Sequence, residues 1–153
     1  IFKICTKLNN NKKYKLGYTS GVFDLFHIGH LNILKKAKEE CEYLIVAVST
    51  DELVQSYKMK TPVIEFSERV AIVEAIKYVD RVIPQESRNK MDAYDKYKFD
   101  VMFVGDDWRG KPLWLALEED LLKKGSVVSY IPYTKKVSST LLKQVLNKIN
   151  KDK

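Results

Sequence analysis

The stretch Gly21-Val22-Phe23-Asp24-Leu25-Phe26-His27-Ile28-Gly29-His30 holds both histidines of the chain, three residues apart, just ahead of a segment with helical spacing. Gly21 permits a tight turn and close approach of the backbone to a ligand, and the free N–H groups at a helix start form an anion site. Two imidazoles on one face of that first turn would point at the same anion. Phosphate recognition is the chemistry this arrangement suits. Two other readings compete with it. The rings can serve as packing or capping groups, or they can hold a metal ion with Asp24 as a third donor. Gly29 between them argues for a bulky ligand against the backbone more than for a compact metal cage.

Other polar residues are spaced so that a parallel fold would bring them to the same place. Lys58 and Lys60 lie in a segment read as a loop after the second strand, where mobile point charges can follow phosphate charge as a bond breaks; alone, they read equally as a solvated loop. Arg69, at the start of the next helix, either braces that loop or binds phosphate. Ser138, Ser139 and Thr140 precede the final helix, where hydroxyls and helix-start N–H groups cap the helix and can also bind phosphate oxygens. Gly105-Asp106-Asp107-Trp108 reads as a strand-end turn with an aromatic plug, or as a turn facing a ligand.

Short β-rich runs alternate with longer amphipathic segments, the rhythm of βαβ units. Strands are expected at 15–20, 43–49, 81–84, 101–105 and 127–132. The run Tyr43 to Ser49 is nearly all apolar, as in a strand covered on both faces. Helices are expected through Leu31, Leu34, Ala37 and Lys38, and at about 67–78, 91–97, 113–124 and 138–150. The predicted fold is α/β, an open parallel five-stranded sheet with helices on both faces. Residues 1–13 read as an arm or added edge segment, 14–150 as the domain and 151–153 as a frayed tail. Ligands of such sheets bind outside the C-terminal strand ends, so segments 20–30, 49–60, 105–111 and 132–140 should converge.

At 153 residues the chain suits one domain of the usual ~100–200 residues, and 45% hydrophobic with 31% charged residues excludes a disordered or fibrous polypeptide. The net charge of +7 admits nucleic-acid, membrane or phosphate partners. It is concentrated at one end, where residues 123–153 carry eight Lys against one Asp and the remainder is neutral. That tail lacks the interleaved aromatics of a single-strand binder, and no helix-turn-helix or zinc spacing is present. No run approaches the ~20 apolar residues of a membrane helix. Two cysteines without CxxC spacing, Cys5 and Cys41, suit a reducing cytoplasm. The chain starts at Ile1 with no Met and no leader pattern, so its first residues are read as a trimmed end without functional weight.

GVFDLFHIGH resembles the HxGH signature of the nucleotidylyltransferase superfamily, in its cytidylyltransferase branch. The resemblance extends through Val48-Ser49-Thr50-Asp51, Ile76-Lys77-Tyr78-Val79-Asp80-Arg81-Val82-Ile83, Gly105-Asp106-Asp107-Trp108 and Tyr133 to Thr140, over about residues 15 to 147. Its order and spacing are most similar to the bacterial glycerol-3-phosphate cytidylyltransferases. It implies a Rossmann-like fold and direct transfer of a cytidylyl group from CTP to a small phosphorylated acceptor, with His27, His30 and Lys58 as catalytic residues. It further implies nucleotide contacts from Gly21, Val22, Phe23, Gly29, Lys60, Lys77, Asp106, Thr134, Ser138, Ser139 and Thr140, and acceptor contacts from Lys58, Lys90, Asp107 and Trp108. Mg²⁺ would be held by the triphosphate and water rather than mainly by protein. A homodimer joined around 76–83 and a place in cell-surface polysaccharide precursor synthesis also follow from the resemblance.

The chain departs from the family pattern at Tyr133, which replaces an Arg, at Lys136, which replaces a Gly, and at Lys77, which replaces an Arg. Lys135 and Lys136 would supply charge beside Tyr133. Rival readings keep the fold and change the substrate, to ATP or to phosphoethanolamine, phosphocholine, a sugar phosphate or a phosphorylated amino acid. Two further rivals are non-catalytic: a nucleotide sensor and a basic nucleic-acid-binding module.

Overall fold

A computed structural model describes residues 12–134 and 137–152. Its elements in chain order are β1 (Tyr14–Gly21), α1 (Ile28–Glu40), β2 (Cys41–Ser49), α2 (Asp51–Lys58), α3 (Phe66–Glu74), β3 (Arg81–Gln85), α4 (Lys90–Tyr97), β4 (Val101–Gly105), a 3₁₀ turn (Asp106–Trp108), α5 (Pro112–Lys123), β5 (Val127–Ile131) and α6 (Ser139–Lys151). The sheet order is β3-β2-β1-β4-β5 and every pairing is parallel. The order reverses between β1 and β4, which leaves a crevice beyond their C-terminal ends.

β2 shows how the apolar run builds two layers. Leu44, Val46 and Val48 face a core shared with Leu34 and Ala37 of α1 and Val73 of α3, whereas Ile45 and Ala47 face a second core with Phe99 and Leu121 of α5. The alternation follows from the two-residue period of a strand. α1 and α3 therefore cover one face, and α4 and α5 the other. Among the described residues no helix is long and apolar enough to cross a membrane.

Two local features differ from the sequence reading. The segment after β2 is not all loop: α2 occupies Asp51–Lys58, its first turn capped by the Thr50 hydroxyl, which accepts from the Leu53 N–H, and closed by Met59 in the left-handed region at φ 53°. The predicted 67–78 helix ends at Glu74, because the chain turns there to enter β3.

Candidate active site

The turn between β1 and α1 carries the histidines, and its backbone differs from the glycine-led turn expected. Phe23 and Leu25, not Gly21, take the left-handed conformation, at φ 54° and 49°. For bulky residues this is strained backbone, held here by the burial of Phe23 and by contacts around Asp24. Asp24 is itself buried; its carboxylate accepts from the N–H groups of Val63 (2.8 Å), Ile64 (2.9 Å) and Leu25 (3.1 Å) and pairs with Lys143 of α6 (2.7 Å). Burial alone would raise its pKa, but the Lys143 ammonium and the two loop N–H groups hold it below the ordinary value. The Ser139 hydroxyl donates to the Asp24 carbonyl. Asp24 thus fastens three segments together, and its oxygens are committed to that task and not to a metal.

His27 is the N-cap of α1 and His30 its third residue, and the two cap reciprocally. The Gly29 N–H donates to His27 Nδ1 (3.0 Å), and the His27 N–H donates to His30 Nδ1 (3.2 Å). Each ring uses Nδ1 as an acceptor, so in its neutral form the proton sits on Nε2. The rings stack with centroids 3.9 Å apart, and His30 packs against Phe23 and Phe26. Burial pushes the His30 pKa down to about 4, with the neighbouring His27 adding to the effect, and burial also lowers that of His27. Capping, one of the sequence alternatives, holds for both rings, and each neutral ring keeps its Nε2–H as a donor.

Gly29 has a specific part in this. A Cβ at residue 29 would lie 2.8 to 2.9 Å from the His27 ring, so the glycine makes room for the imidazole. Gly29→Ala is expected to push that ring aside and lower kcat about 10²-fold, since misplacement of a positioned donor by ~1 Å has effects of that order. Steady-state kinetics with an unchanged melting temperature checks this.

Beyond the C-terminal ends of β1 and β4 lies a cleft of about 250 Å³ lined by Gly21, Val22, Phe23, His27, Gly29, His30, Asp107, Trp108, Thr134, Ser138 and Ser139. A second, of about 330 Å³, shares Ser20, Gly21, Val22, Val104 and Trp108 with the first and adds Tyr57, Lys58, Arg88, Lys90 and Trp114. A third, of about 390 Å³, is lined by Val22, Lys58, Lys60, Thr140 and Lys143. Lys58, at the end of α2, borders the second and third clefts, and Val22 borders all three. The segments after β1, β2, β4 and β5 do converge.

Several residues take places that sequence reasoning left open or placed differently. Arg69 is fully buried, and its guanidinium donates to the carbonyls of Ile64 (2.8 Å), Val22 (2.7 Å) and Ser49 (2.7 Å) and pairs with Asp51 (2.6 Å). It is a brace and not a phosphate ligand. Asp106 accepts from the Tyr133 N–H (3.1 Å), so this carboxylate holds the β5 loop, while Asp107 lines the first cleft. Ser138 caps α6 by accepting from the Leu141 N–H (3.0 Å). Lys77 is exposed just ahead of β3, at the N-terminal end of the sheet, and reaches none of these clefts. It was carried into the site by motif similarity, but a parallel sheet puts strand entrances and strand exits on opposite edges. Lys135 and Lys136 lie outside the described residues.

Two contributors were not singled out from sequence. Asn32 of α1 donates its side-chain N–H to Thr134 Oγ1 (3.1 Å), tying the histidine helix to the β5 loop. Arg88 enters the second cleft from the segment before α4. Lys90 donates to Ser20 Oγ (2.7 Å), and burial, reinforced by Arg88, lowers its pKa to about 8. Because the ammonium is charged below that value, affinity for an anion in the second cleft is expected to fall as pH rises through about 8. Binding of inorganic phosphate measured between pH 7 and 9.5 checks it, with Lys90→Met as the reference that should lose this dependence.

Among the described residues no three His, Cys, Asp or Glu side chains are grouped to hold a metal ion. Asp107 is the carboxylate facing the histidine cleft, a donor set that fits a metal delivered on a polyphosphate.

The model of the family described as "Cytidylyltransferase-like" matches residues 18–145, which includes every cleft segment above. A glycerol-3-phosphate cytidylyltransferase of Bacillus subtilis (strain 168) is 41% identical over 128 residues, covering 82% of this chain and 92% of that protein. The chain belongs to the cytidylyltransferase-like family. The glycerol-3-phosphate cytidylyltransferase of Staphylococcus aureus (strain NCTC 8325 / PS 47) is 40% identical over 84% of this chain and 92% of its own length. In structure, this cytidylyltransferase-like chain is similar to a lipopolysaccharide core biosynthesis protein from Thermoplasma volcanium GSS1, with a TM-score of 0.66, 27% identity and coverage of 81% of this chain and 99% of that one. The family's nucleotidyl-transfer fold is thus the five-stranded Rossmann-like sheet described above.

Proposed function

We infer that the protein transfers the cytidylyl group of CTP to glycerol 3-phosphate, releasing pyrophosphate. The observation that carries this reading is the shared wall of the first two clefts, Ser20 to Val22 with Trp108, which sets a histidine-lined cavity directly against a cationic one. The names of the two relatives supply the substrates.

The acceptor phosphate, held in the second cleft by Lys58 and Lys90, attacks the α-phosphorus of a triphosphate lying across the first and third clefts. A new P–O bond forms as the bond from the α-phosphorus to the bridging oxygen breaks, and the electron pair leaves on pyrophosphate. The attacking oxygen is already an anion, so the enzyme needs no general base and no covalent intermediate. Its contribution is positioning and charge stabilisation. His27 and His30 donate Nε2–H to the phosphate oxygens as charge develops, in the neutral form that burial favours. Lys60, Lys143 and the α6 N-terminus around Ser138 to Thr140 surround the leaving group. Asp107 would offer an oxygen to Mg²⁺ carried on the triphosphate, and the metal would supply neutralisation of the leaving charge.

Pyrophosphate release across CTP, ATP, GTP and UTP, each with a panel of acceptors, tests the assignment. Release is expected with CTP and glycerol 3-phosphate above all other pairs; preference for ATP or for a sugar phosphate would replace it. A homodimer and a cytoplasmic location accompany this reading, and sedimentation velocity tests the former.

A further inference from the structure

Three cations, Lys58, Arg88 and Lys90, line the second cleft, and among the described residues none of them has a carboxylate within ion-pair distance. The described residues lining that cleft include no Asp or Glu. Elsewhere the chain does pair lysines with carboxylates, as in Lys38 with Asp80 at 2.6 Å. Arg88 is not left to wander: its guanidinium lies 4.3 Å from the centroid of the Tyr57 ring, the shortest cation-to-ring distance among the described residues. Stacking restricts a flexible side chain and leaves the N–H edges of its planar fork free, the geometry that suits two phosphate oxygens at once. The lining also includes the uncharged aromatic rings of Trp108 and Trp114.

Such a cavity rewards an anion and opposes a cation. An acceptor that carries only a phosphate meets three complementary charges, whereas one that also carries an ammonium brings a like charge among them with no carboxylate to receive it. We propose that Arg88, held on Tyr57, is the specificity-determining residue of the acceptor cleft, selecting a phosphate ester with no cationic group over ammonium-bearing phosphate esters. This deepens the function proposed above and rests on it for the assignment of the second cleft to the acceptor.

The test compares wild type with Arg88→Gln, Arg88→Lys and Tyr57→Leu, using glycerol 3-phosphate and phosphoethanolamine as paired acceptors with CTP. In wild type the ratio of kcat/KM should favour glycerol 3-phosphate at least ~100-fold, by the repulsion just described. Arg88→Gln should raise the glycerol 3-phosphate KM at least ~10-fold, shrink that ratio by a similar factor and leave the KM of CTP within about twofold. Tyr57→Leu removes the ring under the guanidinium and should raise the glycerol 3-phosphate KM in the direction of Arg88→Gln, while Arg88→Lys keeps the charge without the fork and should fall between wild type and Arg88→Gln. An unchanged ratio in Arg88→Gln, or equal rises in both KM values, overturns the proposal.

A direct binding arm separates this from the catalytic reading. Trp108 and Trp114 are the only tryptophans of the chain and both line the cleft, so intrinsic fluorescence reports its occupancy. If wild type releases no pyrophosphate with any pair, the catalytic reading fails. The Arg88 proposal is then still decided by fluorescence titration. A preference for glycerol 3-phosphate over phosphoethanolamine that Arg88→Gln abolishes supports it, and a preference absent in wild type or unaltered in the variant contradicts it.

Discussion

His27→Ala and His30→Ala are each expected to lower kcat by at least ~10²-fold, the loss seen when one preorganised donor to a developing negative charge is removed. The magnitude follows from the geometry. Each imidazole is fixed through Nδ1 by a backbone N–H, so each Nε2–H is presented without reorganisation during the reaction. Both rings belong to the helix cap, so both variants should lose some stability. His30 caps the helix and packs on Phe23 and Phe26, so its removal should cost about 1 kcal/mol or somewhat more, while the protein stays folded. Turnover at saturating substrate should not fall as pH rises from 6 to 7.5, because burial lowers both histidine pKa values, that of His30 to about 4, and the neutral rings are the donors. A limb near the ordinary histidine pKa, with activity rising as a ring is protonated, would assign the pair to acid catalysis instead.

Arg69→Ala carries the largest expected effect on stability, roughly 3–5 kcal/mol, as for breaking a buried ion pair. The guanidinium is fully buried and joins the turn after β1, the end of β2 and the segment ahead of α3. Its removal leaves the carbonyls of Val22, Ser49 and Ile64 and the carboxylate of Asp51 without their donor. The expected result is a large drop in the urea midpoint, accompanied by loss of activity because Val22 borders all three clefts. Arg69→Lys restores the charge but can satisfy only part of the set, so it should recover less than half of the loss. An Arg69→Ala protein of near-normal stability with raised nucleotide KM would instead make this residue a phosphate ligand.

Legibility in the sequence followed how local each signal was. The β2 run of apolar residues and the spacing of the histidines are short-range patterns, and both were readable from a few residues. Even α2 left a trace, since Thr50 followed by Asp51 and Glu52 is a helix-start signal, but eight residues of mixed polarity show too little periodicity to outweigh a loop reading. For Arg69 the sequence left a brace and a phosphate ligand as equal alternatives, because its partners at Val22, Ser49 and Asp51 lie 18 to 47 residues away. Asn32 was hidden for the same reason, its partner Thr134 being 102 residues distant. Arg88 had no local signal beyond its charge, and its role depends on Tyr57 arriving from α2. Gly21 and Gly29 do line the first cleft, but the left-handed backbone of the turn falls on Phe23 and Leu25, and the place of the His27 ring against Gly29 had no signal in the sequence.

The central claim is tested most directly by ³¹P NMR of the products formed from CTP and glycerol 3-phosphate. The account predicts pyrophosphate and a diphosphate diester in equal amounts, with neither appearing when the acceptor is omitted. Pyrophosphate released equally with and without glycerol 3-phosphate, or no diphosphate diester at all, would contradict it.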